Sequence, residues 1–536
     1  MGTRRRLGDD PGRNRGAGGL TMAAVLLGLV ALVAPACSSD GGAGSSATTE
    51  PATGAAPGRT GPPTGDLRRP TVEGPVTGGK GRAAMGAGSF DLAAVGYVEE
   101  EFFLSGEAAS YTADGDLGPD GAWSVSEAGT APYTTRVVVR RPADAEAFDG
   151  TVWVEWLNVS GGLDASPDWT YTHVELVRSG AAWIGVSAQE VGIVGGGGLA
   201  GDSSLTDGMA LKNADPERYG ALSHPGDDHS YDIYSQAGTA AWFDADQVLG
   251  GLEPQRVISI GESQSAFRLS TYVNAVAPVS DVYDGFLIHS RGGSAAPLGP
   301  GLQGPDPARV RDDLEVPVLT FSSETDVAGS GLGYARSRQP DTERFRSWEV
   351  AGTAHADAYL LGIGDADDGS GEADAQLFAA MQNPPTGLYG GLIDCETGVN
   401  TGPHTYVLRA AVAALENWVR TGEPPAPMPP LELDAQGELV RDEHGIAVGG
   451  IRTPQVDAPV AVLTGGDQSG AGFCFLFGTT GPFAPEQLRS MYGDHTGFVD
   501  QWVDALGRAV ATGAVLGEDA ERLAEVASAS VIPATG

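Results

Sequence analysis

Short apolar runs alternate with longer amphipathic stretches from about residue 86 to the C-terminus. The runs predict strands at 135–140, 151–157, 182–188, 256–260, 284–289, 316–322 and 346–351. The stretches between them predict helices, the clearest at 171–179, 231–250, 267–276 and 405–421. Because near-continuous apolar strands separated by helices are typical of parallel sheets, the predicted fold class is α/β. We expect a mostly parallel central sheet covered by helices on both faces, with long loops at the strand ends.

The first residues form an export signal rather than part of the fold. A positive stretch at Arg4–Arg6 precedes an apolar run at Met22–Val33 that is too short to span a bilayer comfortably. Small residues then lead to Cys37, as in a bacterial lipoprotein signal. Residues 1–36 are predicted to be a signal peptide and Cys37 to be lipidated, with ordinary secretory cleavage after Ala36 as the alternative. In either case the mature protein is expected outside the cytoplasm, on the cell surface or secreted.

Composition divides the rest of the chain into two parts. Residues 37–85 are rich in Gly, Pro, Ser, Thr and Ala and almost free of large apolar side chains. Such a segment cannot bury enough surface to offset its ordering entropy, so it is predicted to be a flexible tether. Residues 86–536 have the composition of one globular domain with loop insertions.

The charge balance and the cysteines limit partners and compartment. The chain has 70 acidic and 32 basic residues, and this formal net charge of -38 repels nucleic acid and anionic membranes. Neither is expected as a partner, and membrane contact is expected only through a lipid at Cys37. Cys395 and Cys474 form an even pair in an oxidising compartment, which predicts a disulfide; two buried thiols are the alternative.

The strongest chemical signal is Gly261-Glu-Ser263-Gln-Ser265, between the strand predicted at 256–260 and the helix predicted at 267–276. A serine on a tight strand-to-helix turn is a nucleophile elbow, in which the residues two before and two after the serine must be small. Ser265 replaces the usual second glycine, and its small size makes this tolerable. Ser263 is therefore the predicted nucleophile, the alternative being the N-cap of an ordinary helix.

A serine nucleophile needs a general base, and with such an elbow the chain order is nucleophile, acid, histidine. His355 follows the strand predicted at 346–351 and a glycine turn, which is where the base should lie. His404 and His495 also follow Ser263, but neither comes directly after a predicted strand. His355 is therefore the predicted base.

Two carboxylates compete for the acid that orients the base. Asp326 and Glu324 both lie at the end of the strand predicted at 316–322. The spacing from Pro317 to Asp326 resembles the acid-bearing loop of many α/β-hydrolases. It favours Asp326, with Glu324 as the alternative.

The developing negative charge on a substrate carbonyl needs two backbone N–H donors. One is expected from Gln264, the residue after the nucleophile. The other is expected from Val159 or Ser160, because the glycines at 161 and 162 permit close backbone approach. A plain turn is the alternative interpretation of this loop.

Several stretches resemble the bacterial "alpha/beta hydrolase domain" family, whose members are commonly exported and are predicted esterases. They are LNVSGG (157–162), PDWTYTH (167–173), GVSAQ (185–189), GESQSA (261–266), SSETD (322–326), WEVAGTAHAD (348–357) and HTYVLRAAVAALENWVRTG (404–422). The resemblance covers about residue 90 to the C-terminus. It implies an α/β-hydrolase fold with a triad at Ser263, the 324/326 loop and His355. It also implies that Gln189 contacts the substrate.

The motifs of metal and phosphate sites, HExxH, CxxC and a P-loop, are absent from the sequence, so no metal and no cofactor is expected. The favoured function is hydrolysis of a small-molecule carboxylic ester through an acyl-enzyme on Ser263. The alternatives are an amide or peptide hydrolase with the same triad, and a non-catalytic exported binding lipoprotein on a hydrolase scaffold.

Overall fold

The computed structural model describes residues 59, 61–65, 67–86, 90–196, 207–329, 332–388 and 393–533. The predicted signal peptide at 1–36 and the predicted lipidation site Cys37 lie outside these residues. Among the described helices, none is both long and apolar enough to cross a membrane.

The described chain is built on a nine-stranded sheet with the strand order β1-β2-β3-β5-β4-β6-β7-β8-β9. Its strands are β1 (Thr71–Glu73), β2 (Tyr97–Ala113), β3 (Val125–Pro142), β4 (Thr151–Trp156), β5 (Ala182–Val186), β6 (Arg256–Glu262), β7 (Gly285–His289), β8 (Val318–Ser323) and β9 (Phe345–Val350). Strands β4 to β9 pair in parallel, whereas β1, β2 and β3 form an antiparallel edge. The predicted mostly parallel sheet is confirmed.

Helices connect these strands and extend the chain beyond them. They are α1 (Pro167–Ser179), α2 (Glu190–Val194), α3 (Leu211–Ala214), α4 (Pro216–Tyr219), α5 (Ser230–Phe243), α6 (Ala245–Val248), α7 (Gln264–Thr271), α8 (Ala277–Ser280), α9 (Glu324–Ala328), α10 (Glu372–Ala380), α11 (His404–Thr421), α12 (Pro454–Asp457), α13 (Pro485–Tyr492), α14 (His495–Ala511) and α15 (Gly517–Ala529). Two short hairpins pair β10 (Gly387–Leu388) with β11 (Ile393–Asp394) and β12 (Ala461–Thr464) with β13 (Thr479–Pro482).

Each face of the sheet buries its own apolar core. Successive side chains of a strand point to opposite faces, so Trp153 of β4 enters one core and Val152 and Val154 enter the other. Helices α1 and α11 cover the first face, α14 and α15 extend its core outward, and α5 and α7 cover the second face. Helices on both faces are the arrangement that the sequence pattern predicts.

The antiparallel edge corrects the predicted end of the tether. The tether was expected to reach residue 85, but Thr71–Glu73 forms β1 and pairs with β2. Upstream of β1, a guanidinium nitrogen of Arg59 lies 2.8 Å from a carboxylate oxygen of Asp284. Composition could not predict this, because a three-residue edge strand is held by backbone hydrogen bonds and needs no apolar run.

Candidate active site

The predicted nucleophile lies where a central strand turns into a helix. Strand β6 ends at Glu262, α7 begins at Gln264, and Ser263 between them has φ 56° and ψ −118°. A positive φ is costly for a residue with a side chain and marks the strained turn of an elbow. A Cβ on Gly261 would lie 3.3 Å from Cβ of Ser265, which explains why both positions hold small residues.

The structure brings three predicted residues into one hydrogen-bonded row. Nε2 of His355 lies 2.7 Å from Oγ of Ser263, and Nδ1 of His355 lies 2.6 Å from Oδ1 of Asp326. His355 comes from the loop after β9, and Asp326 comes from α9, which begins directly after β8. The row has the geometry of a Ser–His–Asp triad.

The surroundings of Asp326 and His355 shift their pKa values in the directions that a triad needs. Burial alone would raise the pKa of Asp326, but His355 and two hydrogen bonds from Ser323 outweigh burial and lower it. Those bonds run from the backbone N and Oγ of Ser323 to Oδ2, over 2.7 Å and 2.8 Å. Burial alone would lower the pKa of His355, but Asp326 and Glu262 raise it. The acid is thus held ionised beside a strengthened base.

Glu324, the alternative acid, has a different set of partners. Its Oε1 accepts the backbone N–H of Gly352 over 2.7 Å. Its Oε2 accepts from the backbone N of Gly465 over 3.0 Å and from Arg441 over 3.1 Å. A Cβ on Gly465 would lie 2.4 Å from the backbone N of Thr325, so only glycine allows this close approach. Glu324 therefore ties the loops together, and the geometry does not support it as the triad acid.

Of the two predicted positions in the glycine loop, one already uses its N–H. The N–H of Ser160 donates to Oδ1 of Asn158 over 2.8 Å. Among the described hydrogen bonds, none uses the N–H of Val159 or of Gln264. Gly162 turns the loop with φ 79° and donates to the Val159 carbonyl. Unused hydrogen-bonding capacity therefore favours Gln264 and Val159 over Ser160 as donors to an oxyanion.

Gln189 does not lie where the family resemblance implied. Its side chain is buried, and its Oε1 accepts from Nε1 of Trp156 over 3.0 Å while its Nε2 donates to Asp227 over 3.0 Å. Gln189 is also absent from the residues that line the cavity at Ser263. The expected substrate contact is replaced by a structural link between β4 and the chain before α5.

A cavity of about 200 Å³ opens at Ser263. One wall is polar and carries Ser263, His355, Glu262 and Asn158. The facing wall is apolar and is formed by Ala356, Leu360, Leu361, Phe473, Leu476 and Phe477. Such a pocket suits an uncharged group of modest size beside the reacting carbonyl.

The predicted cysteine pair supports the apolar wall. Cys395 and Cys474 form a disulfide across 79 residues of sequence. Cys474 lies within the segment that supplies Phe473, Leu476 and Phe477 to the cavity. The bond therefore anchors this wall to the chain around β11.

One buried polar cluster has no counterpart in the sequence predictions. Nδ1 of His289 lies 2.7 Å from Oδ1 of Asp168, and Nε2 of His289 lies 2.7 Å from Nε2 of His404. Nδ1 of His404 lies 3.0 Å from the carbonyl of Ala354, next to the base. We call Asp168, His289 and His404 the internal array. A residue pattern could not reveal it, because its members come from α1, β7 and α11.

Burial and hydrogen-bond direction together favour an uncharged internal array. Burial lowers the pKa of His289 to about 3 and that of His404 far below its usual value, so both rings are neutral. The Ala354 carbonyl can only accept, so Nδ1 of His404 donates and its Nε2 must accept from His289. Nδ1 of His289 must then accept from Asp168. Asp168 is therefore protonated, in agreement with the burial that raises its pKa.

Within the described residues, no group of three or more His, Cys, Asp or Glu side chains could hold a metal ion. The chemistry available at the cavity is that of an activated serine. A nucleophile elbow on a mostly parallel sheet, with the histidine and the acid after later strands, defines an α/β-hydrolase.

The chain belongs to the alpha/beta hydrolase domain family, whose profile matches residues 72–525. No curated protein matches the sequence. Similar solved structures include a putative dienelactone hydrolase from Klebsiella pneumoniae subsp. pneumoniae, with 11% identity, a TM-score of 0.25, and coverage of 52% of this chain and 97% of that one. A glucuronoyl esterase from Solibacter usitatus has 9% identity, a TM-score of 0.26, and coverage of 55% and 85%. These similarities are distant and carry no information on the reaction.

Proposed function

We propose that the protein is a serine hydrolase that cleaves carboxylic esters through an acyl-enzyme on Ser263. The observation that carries the proposal is the continuous row from Asp326 through His355 to Oγ of Ser263, with contacts of 2.6 Å and 2.7 Å. A non-catalytic binding protein would have no use for a strained serine beside a base and a buried acid.

The geometry supports each step of such a reaction. His355 takes the proton of Ser263 as Oγ attacks the ester carbonyl, and Asp326 stabilises the imidazolium. The N–H groups of Gln264 and Val159 are the donors available to the tetrahedral oxyanion. The imidazolium then protonates the leaving alcohol, and water releases the acyl group by the reverse sequence.

The cavity supports an uncharged ester of modest size as the substrate. Among the described residues that line it, none is Lys or Arg, so an anionic substrate would find no cation to pair with. The leucine and phenylalanine wall favours an apolar acyl or alkyl group.

We also propose that the enzyme works outside the cytoplasm, anchored by a lipid on Cys37. The disulfide between Cys395 and Cys474 supports this, because such bonds persist in oxidising compartments. Mass spectrometry of the protein expressed in a bacterial host should find a diacylglyceryl group on an N-terminal Cys37. An unmodified Cys37 or a different mature start would contradict the anchor and leave the hydrolase proposal intact.

The test of the reaction is labelling with a fluorophosphonate probe, which needs an activated serine and no knowledge of the substrate. Ser263 should be labelled in the wild type, and Ser263→Ala should remain unlabelled. A panel of p-nitrophenyl esters of increasing acyl length, with aryl amides beside it, should show preference for short esters. Absence of labelling in folded wild-type protein would refute the proposal.

A further inference from the structure

A carboxyl group that the triad does not use lies against its reacting nitrogen. Glu262 is 4% exposed, and its Oε1 lies 3.3 Å from Nε2 of His355. Nε2 therefore has two oxygen neighbours, this one and Oγ of Ser263 at 2.7 Å. Because all three residues line the cavity, the space beside Nε2 and Oε1 is open to a substrate or to water.

The carboxyl group is fixed from its other side. Nδ2 of Asn158 donates to Oε2 and to the backbone carbonyl of Glu262, over 3.1 Å in each case. Among the described hydrogen bonds, none uses Oε1 of Glu262. One oxygen is thus held in place, and the other is left to accept from a molecule in the cavity.

We propose that Glu262 binds the water that hydrolyses the acyl-enzyme. The inference rests on the proposed function, since it concerns the second half of that reaction. Once Ser263 is acylated and the alcohol has left with its proton, Oγ has no hydrogen to donate. When Glu262 is ionised, Nε2 of His355 and Oε1 of Glu262 are then adjacent acceptors with no donor between them. A water molecule in the cavity donates one hydrogen to each and places its oxygen beside the acyl carbon.

The step balances without any further reactant. The water oxygen attacks the acyl carbon, and the water hydrogen that points at Nε2 is transferred to His355. That proton passes to Oγ of Ser263 as the bond between Oγ and the acyl carbon breaks. The second hydrogen of the water stays on the product acid, where Oε1 of Glu262 accepts it until the product leaves.

The test separates acylation from deacylation by rapid mixing with p-nitrophenyl acetate. Assays at pH 9 keep Glu262 ionised, because burial raises its pKa to about 8. In Glu262→Ala, Asn158 keeps the backbone carbonyl as its partner, so the loop stays in place. We expect acylation within about threefold of wild type and deacylation slowed about 10- to 100-fold, at or below the lower end of general acid–base effects because His355 remains as the base. The variant should then show a burst of p-nitrophenolate, and its acetylated Ser263 should accumulate in intact-mass spectra.

Two further variants sharpen the test. In Glu262→Gln, Asn158 attracts the amide oxygen, so the amide NH₂ faces Nε2 and offers a donor where an acceptor is needed; deacylation should slow at least as much. Sodium formate should partly restore deacylation in Glu262→Ala by supplying a carboxylate. Asp357→Asn is the control, since Asp357 is a buried carboxyl near the base that faces Tyr171, 3.1 Å away, and does not line the cavity.

Two results would overturn the inference. Equal losses in acylation and deacylation would show that Glu262 acts on His355 throughout, and unchanged rates in Glu262→Ala would show that it binds no reacting water. Either result leaves the hydrolase proposal standing if the wild type is acetylated on Ser263. If wild-type Ser263 reacts with neither the ester nor a fluorophosphonate, both proposals fall.

Discussion

Two rows of buried carboxyl and imidazole groups lie side by side in this protein, and they differ in what surrounds the carboxyl. In the triad, Oδ2 of Asp326 accepts two hydrogen bonds from Ser323. In the internal array, Oδ2 of Asp168 is buried and has no described hydrogen-bond partner. Donors stabilise an ionised carboxylate, so Asp326 is charged, whereas Asp168 keeps its proton.

The two rows also differ in the group at the end away from the carboxyl. The triad ends on the hydroxyl of Ser263 at the cavity, where a proton must move. The internal array ends on the carbonyl of Ala354, where a proton can only be held. The backbone carbonyl of His289 also accepts the backbone N–H of Ser263 over 3.0 Å, so this residue is tied to the nucleophile as well as, through His404, to the loop of the base. An Asp–His pair thus belongs to a reactive row in one place and to a fixed row in the other.

The largest expected effect comes from removing the reactive end of the triad. Ser263→Ala should lower ester hydrolysis by at least about 10³-fold while leaving the fold unchanged. Hydrolysis is measured with p-nitrophenyl esters, and the fold is checked by circular dichroism. Near wild-type activity in folded variant protein would refute the elbow assignment.

Replacing the carboxyl group by an amide should greatly reduce activity in the triad and change it little in the internal array. In Asp326→Asn, the donors of Ser323 attract the amide oxygen, so the NH₂ faces His355 and forces the wrong tautomer. We expect kcat to fall about 10²- to 10⁴-fold, with KM little altered. Glu324→Gln is the matched control and should cost far less, because Glu324 only ties loops together. A crippling Glu324→Gln would contradict the assignment of the acid.

The two rows should also respond differently to pH. The base works only when neutral, and Asp326 and Glu262 raise the pKa of His355, so kcat/KM should fall as pH drops through a midpoint above 6.5. Removing Glu262 takes away one raising charge and should move that midpoint to lower pH. His289 has a pKa of about 3 and should not titrate between pH 5 and 9, which histidine NMR can follow. A midpoint that rises in Glu262→Ala would contradict this account.

The smallest effect is expected in the internal array. Asp168→Asn keeps a donor toward Nδ1 of His289, so kcat/KM should stay within about threefold and stability within about 1 kcal/mol of wild type. Asp168→Leu leaves that nitrogen without a donor and should lower the free energy of unfolding by about 1–3 kcal/mol. Denaturant unfolding measures the free energy of unfolding of both variants. If Asp168→Asn were as damaging as Asp326→Asn, Asp168 would have to be ionised.

Local signals in the sequence were sufficient for the sheet, the elbow and the position of the base. A strand, a small-residue turn and a helix within about a dozen residues are enough to predict the elbow at Ser263. The glycine turn before His355 and the parallel strands are local patterns of the same kind. The long strand β2 was missed because its buried residues are interrupted by partly exposed ones and form no continuous apolar run. Its pairing with β3 also depends on residues distant in sequence.

What the sequence alone determined is which residue types stand at the ends of which strands. Only the tertiary structure decided which of them meet. The spacing from Pro317 favoured Asp326 over Glu324 only by resemblance. The physical reason appears in the fold, where the carboxylate of Glu324 is taken up by Gly352, Arg441 and Gly465. Gln189 was misplaced and Glu262 overlooked for the same reason. A side chain's role follows from the donors and charges that the folded chain brings to it.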